Sequence, residues 1–243
     1  MSMTAIIGST GTIGSVLARR LVRHGHRLLL VGRNEAKLSA LSEELDQPFA
    51  KVDLSNSQSL EAALEQAAET AGGINGIVNC VGSLLLKSAH TTTDEEFRAI
   101  VETNLFTAFA TVRAGARILR EQGGTIVLFA SAAAEIGIAN HEAIAAAKAG
   151  VIGLARSAAA SYASKNIRVN VVSPGLIRTE MTKRIWESSA SSTASAQMHA
   201  LGRLGEPEQV ASLVDWLISS ENDWITGQVI GVDGGLGHIL SRK

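Results

Sequence analysis

The sequence predicts a single α/β domain, a doubly wound parallel sheet of seven strands with helices on both faces. Short apolar runs alternate with helix-length amphipathic segments along the whole chain, which is the pattern of parallel strands joined by crossover helices. A hydrophobic content of 46% over 243 residues is enough for one large core. Because no repeat, Pro-rich linker or long charge block interrupts the alternation, we predict no domain boundary.

The apolar runs and the segments between them define the predicted elements. Strands are predicted at residues 3–8, 27–32, 48–52, 75–80, 125–130, 167–172 and 228–232. The intervening segments are rich in strong helix formers, as in EAALEQAAET (61–70) and AIAAAKAGVIGLARSAAASYA (143–163). The stretch WESSASSTASAQMHA (186–200) has few bulky anchors, which predicts a mobile segment. Residues 182–200 are then either a lid that shapes a substrate pocket or a plain surface excursion.

Charge and cysteine content narrow the class of protein. A formal net charge of -1, with both signs interspersed, favours a small-molecule ligand over nucleic acid or an anionic membrane. A single cysteine, Cys80, excludes an internal disulfide and a cysteine-built zinc site, and we interpret it as core packing. No signal peptide and no uninterrupted apolar window of about 18 residues occurs. We therefore expect a soluble protein of the reducing cytoplasm.

The first turn carries a dinucleotide-binding motif. The segment TAIIGSTGTIGSVLARRLVRHG (4–25) has the order strand, glycine-rich turn, helix. Glycines allow a sharp turn and a close approach to a pyrophosphate, and the free amides at the helix start attract the anion. This context predicts a Rossmann fold that binds a nicotinamide dinucleotide. The predicted loop residues are Gly8, Ser9, Thr10, Gly11, Thr12, Ile13 and Gly14.

The end of the second strand indicates which dinucleotide is bound. An Asp or Glu about 20 residues past the loop normally accepts hydrogen bonds from the adenosine ribose, but Gly32 stands there. Arg33 follows, and a guanidinium at this place can hold the 2′-phosphate of NADP. A solvated turn arginine would account for Arg33 but not for the missing carboxylate. We therefore favour NADP(H) over NAD(H).

Ordered motifs extend beyond the glycine loop. They are Asp53-Leu54, NCVG (79–82), Asn104 in VETNL, Ser131, Lys148 in AAAKAG, IRVNVVSPGLIRTEM (167–181), LGRLGEPEQVA (201–211) and ITGQVIGVDGG (225–235). With these motifs the chain resembles the short-chain dehydrogenase/reductase family over essentially its whole length.

The resemblance implies roles for the matched positions. Asp53 and Leu54 would border the adenine ring, and Asn79 with Gly82 would line the cofactor cleft. Lys148 would hydrogen-bond the nicotinamide ribose. Ser131 would orient a substrate carbonyl, and Asn104 would position a water for proton relay. The residues framing the nicotinamide would be Pro174, Gly175, Ile177 and Thr179. Asp53, Asn79 and Ser131 could instead serve only as caps of turns, strands or helices.

The sequence departs from the family pattern at two places. The loop spacing is GxxGxxG, with Thr12 where the main branch of the family, with GxxxGxG, has glycine. The family's YxxxK motif implies a tyrosine four residues before Lys148, but this chain has Ile144 there. Isoleucine has no proton to give to a reduced carbonyl oxygen, and losing a general acid costs about 10² to 10⁴ in rate. Tyr162, fourteen residues beyond Lys148, does not replace it.

His141 is the candidate for a substitute acid. On a helix it would lie on the same face as Lys148, roughly 20° away about the axis and about 10 Å along it. The tyrosine of enoyl-acyl-carrier-protein reductases, a divergent branch of the superfamily, also lies seven residues before its lysine. Glu142 could hold or charge the imidazole. Alternatively these residues only start a helix, with Asn140 as N-cap.

The remaining histidines are predicted in turn-like, exposed or variable segments, and we assign them no chemistry. They are His24, His26, His90, His199 and His238.

Two functions follow from these observations. The first is an NADP(H)-dependent oxidoreductase that reduces a carbonyl or an activated double bond, with Asn104, Ser131, Lys148 and His141 as catalytic residues. The second is a catalytically silent NADP(H)-binding sensor or regulatory protein. The Ala-rich helices near 97–120 and 143–163 resemble the pair that packs against a symmetry mate in this family, so we expect a homodimer or homotetramer.

Overall fold

A computed structural model describes residues 3–54 and 56–239 and contains a seven-stranded parallel sheet. The spatial order is β3-β2-β1-β4-β5-β6-β7, so the chain winds outward from β1 in one direction and then from β4 in the other. The strands are β1 Met3–Ile7, β2 Arg27–Gly32, β3 Phe49–Lys51, β4 Ile74–Asn79, β5 Gly124–Phe129, β6 Ile167–Pro174 and β7 Val229–Val232. The predicted single-domain Rossmann fold is confirmed, and each strand lies where its apolar run predicted it.

Helices cover both faces of the sheet. They are α1 Thr12–Arg23, α2 Glu35–Leu45, α3 Ser57–Ala71, α4 Asp94–Val101, α5 Thr107–Ile118, α6 Glu142–Tyr162, α7 Lys183–Trp186, α8 Ser189–Met198 and α9 Pro207–Ile218. One apolar core joins the sheet to α1, α2 and α9, and a second joins its other face to α3, α5 and α6. Because both faces are covered, the central strands are almost continuously buried.

Local sequence signals explain where the helices begin. The Asn34 side chain accepts a hydrogen bond from the Lys37 amide at the start of α2. Thr93 and Glu96 form a reciprocal capping box at the start of α4. Pro207 occupies the first turn of α9, where its missing N–H has no partner to lose.

The Ser-rich segment is more regular than its composition predicted. Residues 182–200 fold as the short helices α7 and α8, and no residue of α8 is buried. The indole Nε1 of Trp186 donates a hydrogen bond of 2.9 Å to the Thr179 carbonyl, which fixes the start of the segment. Ser and Ala are tolerated in a helix, so weak anchoring did not prevent helix formation here.

The longest helix, α6, belongs to the core. With the turn that follows it, residues 142–165 are long and apolar enough, by length and composition alone, to cross a membrane. Half of its most apolar window is buried inside the domain, where Val151, Ala155 and Ala158 pack on the sheet. The apolar composition is explained by this packing.

Candidate functional site

The glycine loop connects β1 to α1 at the carboxyl edge of the sheet. Gly8 has a φ of +80°, which residues with a side chain rarely adopt. A Cβ at Gly14 would overlap the carbonyl oxygen of Gly8 and lie 2.9 Å from the Cα of Ser9. Glycine at position 14 is therefore required for the first turn of α1 to pack on the loop.

The loop presents a cluster of free hydrogen-bond donors. In the part of the chain that the structure describes, the backbone amides of Thr10, Thr12, Ile13 and Gly14 have no acceptor. Three of them are the first amides of α1, where the helix dipole attracts negative charge. This cluster fits the pyrophosphate of a dinucleotide.

Gly32 and Arg33 lie beside this loop. A Cβ at Gly32 would be 3.5 Å from the Oγ1 atom of Thr10, so the end of β2 adjoins the loop. The exposed Arg33 side chain makes no hydrogen bond or ion pair with any described residue. Its guanidinium is available to an anionic ligand. Farther along the same edge, Asp53 is exposed, whereas Leu54 is buried in the apolar core.

Asn79 shapes the loop that follows β4. Its Oδ1 atom accepts a hydrogen bond of 2.9 Å from the Val81 amide, and its Nδ2 atom donates one of 3.0 Å to the Thr111 hydroxyl of α5. These bonds hold the NCVG loop against the glycine loop, because a Cβ at Gly8 would lie 3.1 Å from the Val81 side chain. Asn79 acts from a buried position, as a support of the cleft.

Asn104 lies in a turn of π-helix, Glu102–Phe106, between α4 and α5. Its Nδ2 atom donates to the Ile100 carbonyl (2.9 Å) and to the Ser83 hydroxyl (3.0 Å), and its Oδ1 atom accepts from the Ser83 amide (3.2 Å). The buried Asn104 side chain therefore fixes the chain just beyond Gly82. Single turns of π-helix are frequent at functional sites, but the sequence carried no local signal for this one.

Lys148 reaches the same place from α6. Its Nζ atom donates a hydrogen bond of 2.9 Å to the carbonyl oxygen of Phe129 at the end of β5. A Cβ at Gly82 would lie 3.7 Å from this Nζ atom and 3.2 Å from Oδ1 of Asn104, so the three residues converge. Burial lowers the pKa of Lys148 to about 8, although the nearby Cys80 thiol opposes the shift. Burial raises the pKa of Cys80 to about 12, which suits a packing role.

Ser131 lies two residues beyond Phe129, the partner of Lys148, and Ile144 lies one helical turn before Lys148 on α6. Ser131 caps a 3-10 turn, Ala132–Ala134, by accepting a hydrogen bond of 3.3 Å from the Ala133 amide. Its hydroxyl hydrogen donates to no described residue. Ile144 is buried in an apolar cluster with Ile100 of α4, against Leu84 and Leu85. The side chain four residues before Lys148 is thus closely surrounded by hydrocarbon.

His141 immediately precedes α6, and its Nδ1 atom lies 2.8 Å from the Ala139 carbonyl oxygen. Its Nε2 atom has no partner in the described part of the chain. The expectation that Asn140 caps the helix is wrong: the cap position is His141, and Asn140 has a left-handed φ of +62°. Nor does Glu142 hold the imidazole, since its carboxylate accepts a hydrogen bond of 3.4 Å from the Ala89 amide.

The residues after β6 form the opposite wall of the cleft. Ile177 is buried and pairs with Gly205 through an isolated parallel bridge. Thr179 and Thr182 bond each other through their hydroxyls at 3.1 Å. Pro174 ends β6, and Gly175 follows where a Cβ would lie only 2.6 Å from the Nε2 atom of His199.

His199 is buried, although the sequence placed it only among turn-like, exposed or variable segments and assigned it no chemistry. The residue is 4% exposed, its Nε2 atom accepts a hydrogen bond of 3.1 Å from the Leu176 amide, and its Nδ1 atom lies 2.7 Å from the Ser195 carbonyl oxygen. His199 therefore ties α8 to the turn after β6. Both partners are backbone groups brought close by tertiary folding, so no local pattern marked this residue.

Within residues 3–54 and 56–239, no group of three or more His, Cys, Asp and Glu side chains is arranged as a metal site. The polar groups along the carboxyl edge of the sheet are the amides of the glycine loop, the Lys148 amine, the Ser131 hydroxyl and the exposed Arg33 guanidinium. Donors of this kind bind a phosphate-containing, hydroxyl-rich ligand rather than a cation.

Comparison with known proteins identifies the family. A family model described as "Enoyl-(Acyl carrier protein) reductase" matches residues 8–237. Carbonyl reductase family member 4 of Danio rerio is 35% identical over 97% of this chain and 98% of its own. The 3-oxoacyl-[acyl-carrier-protein] reductase FabG of Vibrio cholerae is 34% identical over 95% of each chain. A solved short-chain type dehydrogenase/reductase from Mycobacterium ulcerans superposes with a TM-score of 0.94 at 30% identity, covering 100% of this chain and 92% of its own.

The chain belongs to the short-chain dehydrogenase/reductase family of oxidoreductases. The resemblance drawn from the ordered motifs is confirmed at this level.

Proposed function

We propose that the protein is an NADP(H)-dependent oxidoreductase that transfers hydride to a carbonyl or an activated double bond of a small molecule. The observation that carries the proposal is the convergence of the Lys148 amine on Gly82 and Asn104 at the carboxyl edge of the sheet. The relatives named above are carbonyl and 3-oxoacyl reductases, which supports reduction as the direction of the chemistry.

The chain's own residues provide the cofactor site. The amides of Thr10, Thr12, Ile13 and Gly14 would hold the pyrophosphate. Lys148 would donate to hydroxyls of the nicotinamide ribose with the N–H groups not engaged by Phe129. The wall Pro174–Thr179 would frame the nicotinamide ring, with its backbone fixed by His199. When bound, the cofactor supplies the hydride. Ser131 would orient the substrate, because its hydroxyl hydrogen donates to no described residue.

The preference for NADP(H) over NAD(H) rests on Arg33. Its guanidinium, which has no partner among the described residues, suits a dianionic 2′-phosphate next to Gly32, and no carboxylate stands at the end of β2 to accept the ribose hydroxyls. We expect Arg33→Ala to weaken NADPH binding by about tenfold or more, as for other charge-assisted pairs, and to leave NADH binding nearly unchanged. Isothermal titration with both cofactors tests this. Equal or tighter binding of NADH by the parent protein would defeat the assignment.

The proton donor is the distinctive part of the proposal. This chain is a divergent member of its family, with Ile144 at the position of the catalytic tyrosine, and the buried Ile144 side chain can donate no proton. His141 is the substitute that we propose, because its Nε2 atom bonds none of the described residues and the residue is partly exposed at the start of α6. An imidazolium can donate a proton near neutral pH.

A substrate screen that follows NADPH oxidation tests the activity. We expect turnover by the parent and a rate loss of about 10² or more in His141→Ala. His26→Ala, in the turn between α1 and β2 at the opposite edge of the sheet, is the matched control. If the parent is active and His141→Ala has the same rate, His141 is not the acid.

The apolar packing of Ile144 favours one second candidate, a catalytically silent NADP(H)-binding sensor or regulatory protein. Such a protein binds cofactor without hydride transfer. The variant Ile144→Tyr separates the two functions, because it restores a phenol four residues before Lys148. Turnover by Ile144→Tyr together with an inactive parent would support the silent protein.

We also propose that the protein is cytoplasmic and that it assembles as a homodimer or homotetramer through the exposed faces of α5 and α6. Phe109 is 46% exposed on α5, and the groove between α5 and α6 continues along Arg113, Leu154 and Tyr162. A second copy of the chain would cover these apolar groups. Sedimentation of the parent and of Phe109→Glu tests the assembly; a monomeric parent would contradict it.

A further inference from the structure

Thr12 joins the glycine loop to the far wall of the cleft. Its Oγ1 atom, at the first position of α1, accepts a hydrogen bond of 3.2 Å from the backbone amide of Glu180. The two residues are 168 positions apart, and a glycine at position 12 would have no group with which to make this contact. Thr12 thus bridges the first and second halves of the fold.

The partner of Thr12 is part of a compact unit, residues 179–186, which we call the hook. Thr182 donates its hydroxyl to the Ile177 carbonyl and accepts from the Thr179 amide at 3.1 Å. The indole N–H of Trp186 donates to the Thr179 carbonyl, so the last residue of the hook is bonded to the first. Because the bonds of Thr179 to Thr182 and Trp186 lie within the hook, and Thr182 also anchors it to Ile177, a contact at Glu180 acts on the hook as a whole.

The hook extends toward the proposed reaction centre. The Met181 side chain lies 3.9 Å from the position of a Cβ at Gly82, next to Asn104 and Lys148. Met181 is nevertheless 52% exposed, so the hook covers only part of the cleft. A shift of the hook would therefore change how much of the cleft Met181 covers.

The Thr12 hydroxyl retains a free donor. Its oxygen is occupied by Glu180, but its hydrogen donates to no described residue, and the amides of Thr10, Ile13 and Gly14 around it are also free. A hydroxyl that donates to an anion becomes a better acceptor, because the two hydrogen bonds polarise each other. An anion in the loop would therefore strengthen the contact from Thr12 to Glu180.

We propose that Thr12 is a positioning residue that couples dinucleotide binding to closure of the hook. Its O–H donates to the pyrophosphate while its oxygen holds the Glu180 amide over the cleft. The inference rests on the proposed function, since it requires a dinucleotide in the loop Gly8–Gly14. Because coupling is reciprocal, the hook tightens the binding of the cofactor by the same factor by which the cofactor stabilises the closed hook.

The test compares Thr12→Val, which keeps the shape and removes the hydroxyl, with Thr12→Ser, which keeps the hydroxyl. Two quantities are measured on the full chain: the Kd of NADPH, and the amide hydrogen exchange of residues 179–186 with and without saturating NADPH. We expect NADPH to slow exchange of the hook in the parent and in Thr12→Ser. In Thr12→Val the Kd rises about tenfold or more and saturating NADPH no longer slows exchange at Glu180.

Two further variants make the result independent of folding defects. Thr12→Gly removes hydroxyl and methyl together, and it should lose the same protection as Thr12→Val. Thr70→Val makes the same chemical change on the exposed face of α3, where the hydroxyl bonds only the Gln66 carbonyl, and it should match the parent.

The outcomes separate this inference from the proposed function. If Thr12→Val binds NADPH as the parent does, with equal protection of the hook, the coupling is refuted while the NADP(H) site stands. If Thr12→Val loses affinity but still protects its hook at saturation, Thr12 contacts phosphate only, and the coupling is again refuted. A parent that binds neither NADPH nor NADP⁺ overturns both proposals.

Discussion

The Nζ atom of Lys148 donates a hydrogen bond of 2.9 Å to the carbonyl oxygen of Phe129, which fixes the amine between the ends of β4 and β5. The lysine is 7% exposed, so the bond to Phe129 compensates only part of the loss of hydration. Its lowered pKa is the direct result.

The pKa of Lys148 predicts a pH dependence of stability. Burial lowers this pKa from 10.5 to about 8 in the folded chain. Between these values the unfolded chain binds the additional proton, so stability contributed by Lys148 rises with pH, by at most about 1.4 kcal/mol per pH unit. Below about pH 8 both states carry the charge and the cost of burying it is constant.

Titration of Cys80 changes the stability with pH in the opposite direction, so Cys80 is replaced in both proteins that are compared. Its pKa is raised from 9.0 to about 12, so the stability it contributes is lost as pH rises through that range. Urea denaturation should therefore compare Cys80→Ala with Cys80→Ala/Lys148→Met between about pH 7.5 and 10.5. We expect a positive slope with pH in the first protein relative to the second. Parallel curves would contradict the buried charge.

Gly14→Ala should abolish the dinucleotide site. The added methyl overlaps the Gly8 carbonyl oxygen and forces α1 away from the loop, so we expect a loss of stability above about 2 kcal/mol and no measurable NADPH binding. Gly153→Ala is the matched control, because nothing lies within 4 Å of a Cβ at this position in α6. It should stabilise the chain by about 0.5–1 kcal/mol. Thermal unfolding and cofactor titration distinguish the two variants. If Gly14→Ala keeps the stability and the NADPH affinity of the parent, a Cβ at position 14 is not crowded.

Ile144→Ala should destabilise the chain by about 2–5 kcal/mol, because it empties a buried site that Ile100, Leu84 and Leu85 cannot fill without rearrangement. Leu86→Ala, in the loop that carries Leu84 and Leu85, changes a side chain that is 42% exposed and should cost less than about 1 kcal/mol. Both values are obtained from urea denaturation. A similar small cost for the two variants would mean that Ile144 does not support the core.

His199→Ala should destabilise the turn after β6. It leaves the Leu176 amide and the Ser195 carbonyl without their side-chain partner, at a cost of about 1–3 kcal/mol for each buried group. We expect faster amide exchange at residues 175–177 and faster tryptic cleavage after Arg184, with His90→Ala as the exposed control. Unchanged amide hydrogen exchange at Leu176 would show that His199 does not hold the turn after β6.

Several site residues could be predicted from sequence because their function depends on local backbone. The glycines of Gly8–Gly14 are required where a strand turns into a helix, and the apolar runs locate that turn. Lys148 was identifiable through the ordered motifs, although its proton affinity was not. Burial lowers the pKa of Lys148, with Cys80 opposing the shift, and the burial is produced by segments distant in sequence.

Other features could not be predicted because long-range backbone contacts decide them. The sequence supported no role for His199, yet both of its ring nitrogens bond backbone groups, one in α8 and one in the turn after β6. The Ser-rich segment was predicted as mobile because its composition lacks bulky anchors. Its start is nevertheless secured by Trp186 and by the Thr12 contact, neither of which composition can report.

The sequence by itself determined the seven-stranded Rossmann sheet and the dinucleotide loop, because strand periodicity, helix signals and glycine spacing are properties of neighbouring residues. Tertiary structure alone decided what surrounds each reactive group: hydrocarbon around Ile144, a carbonyl at Lys148, and the Glu180 amide at Thr12. The reason is physical. Desolvation and hydrogen bonding depend on atoms within a few ångströms in space, and folding brings those atoms from segments far apart in the chain.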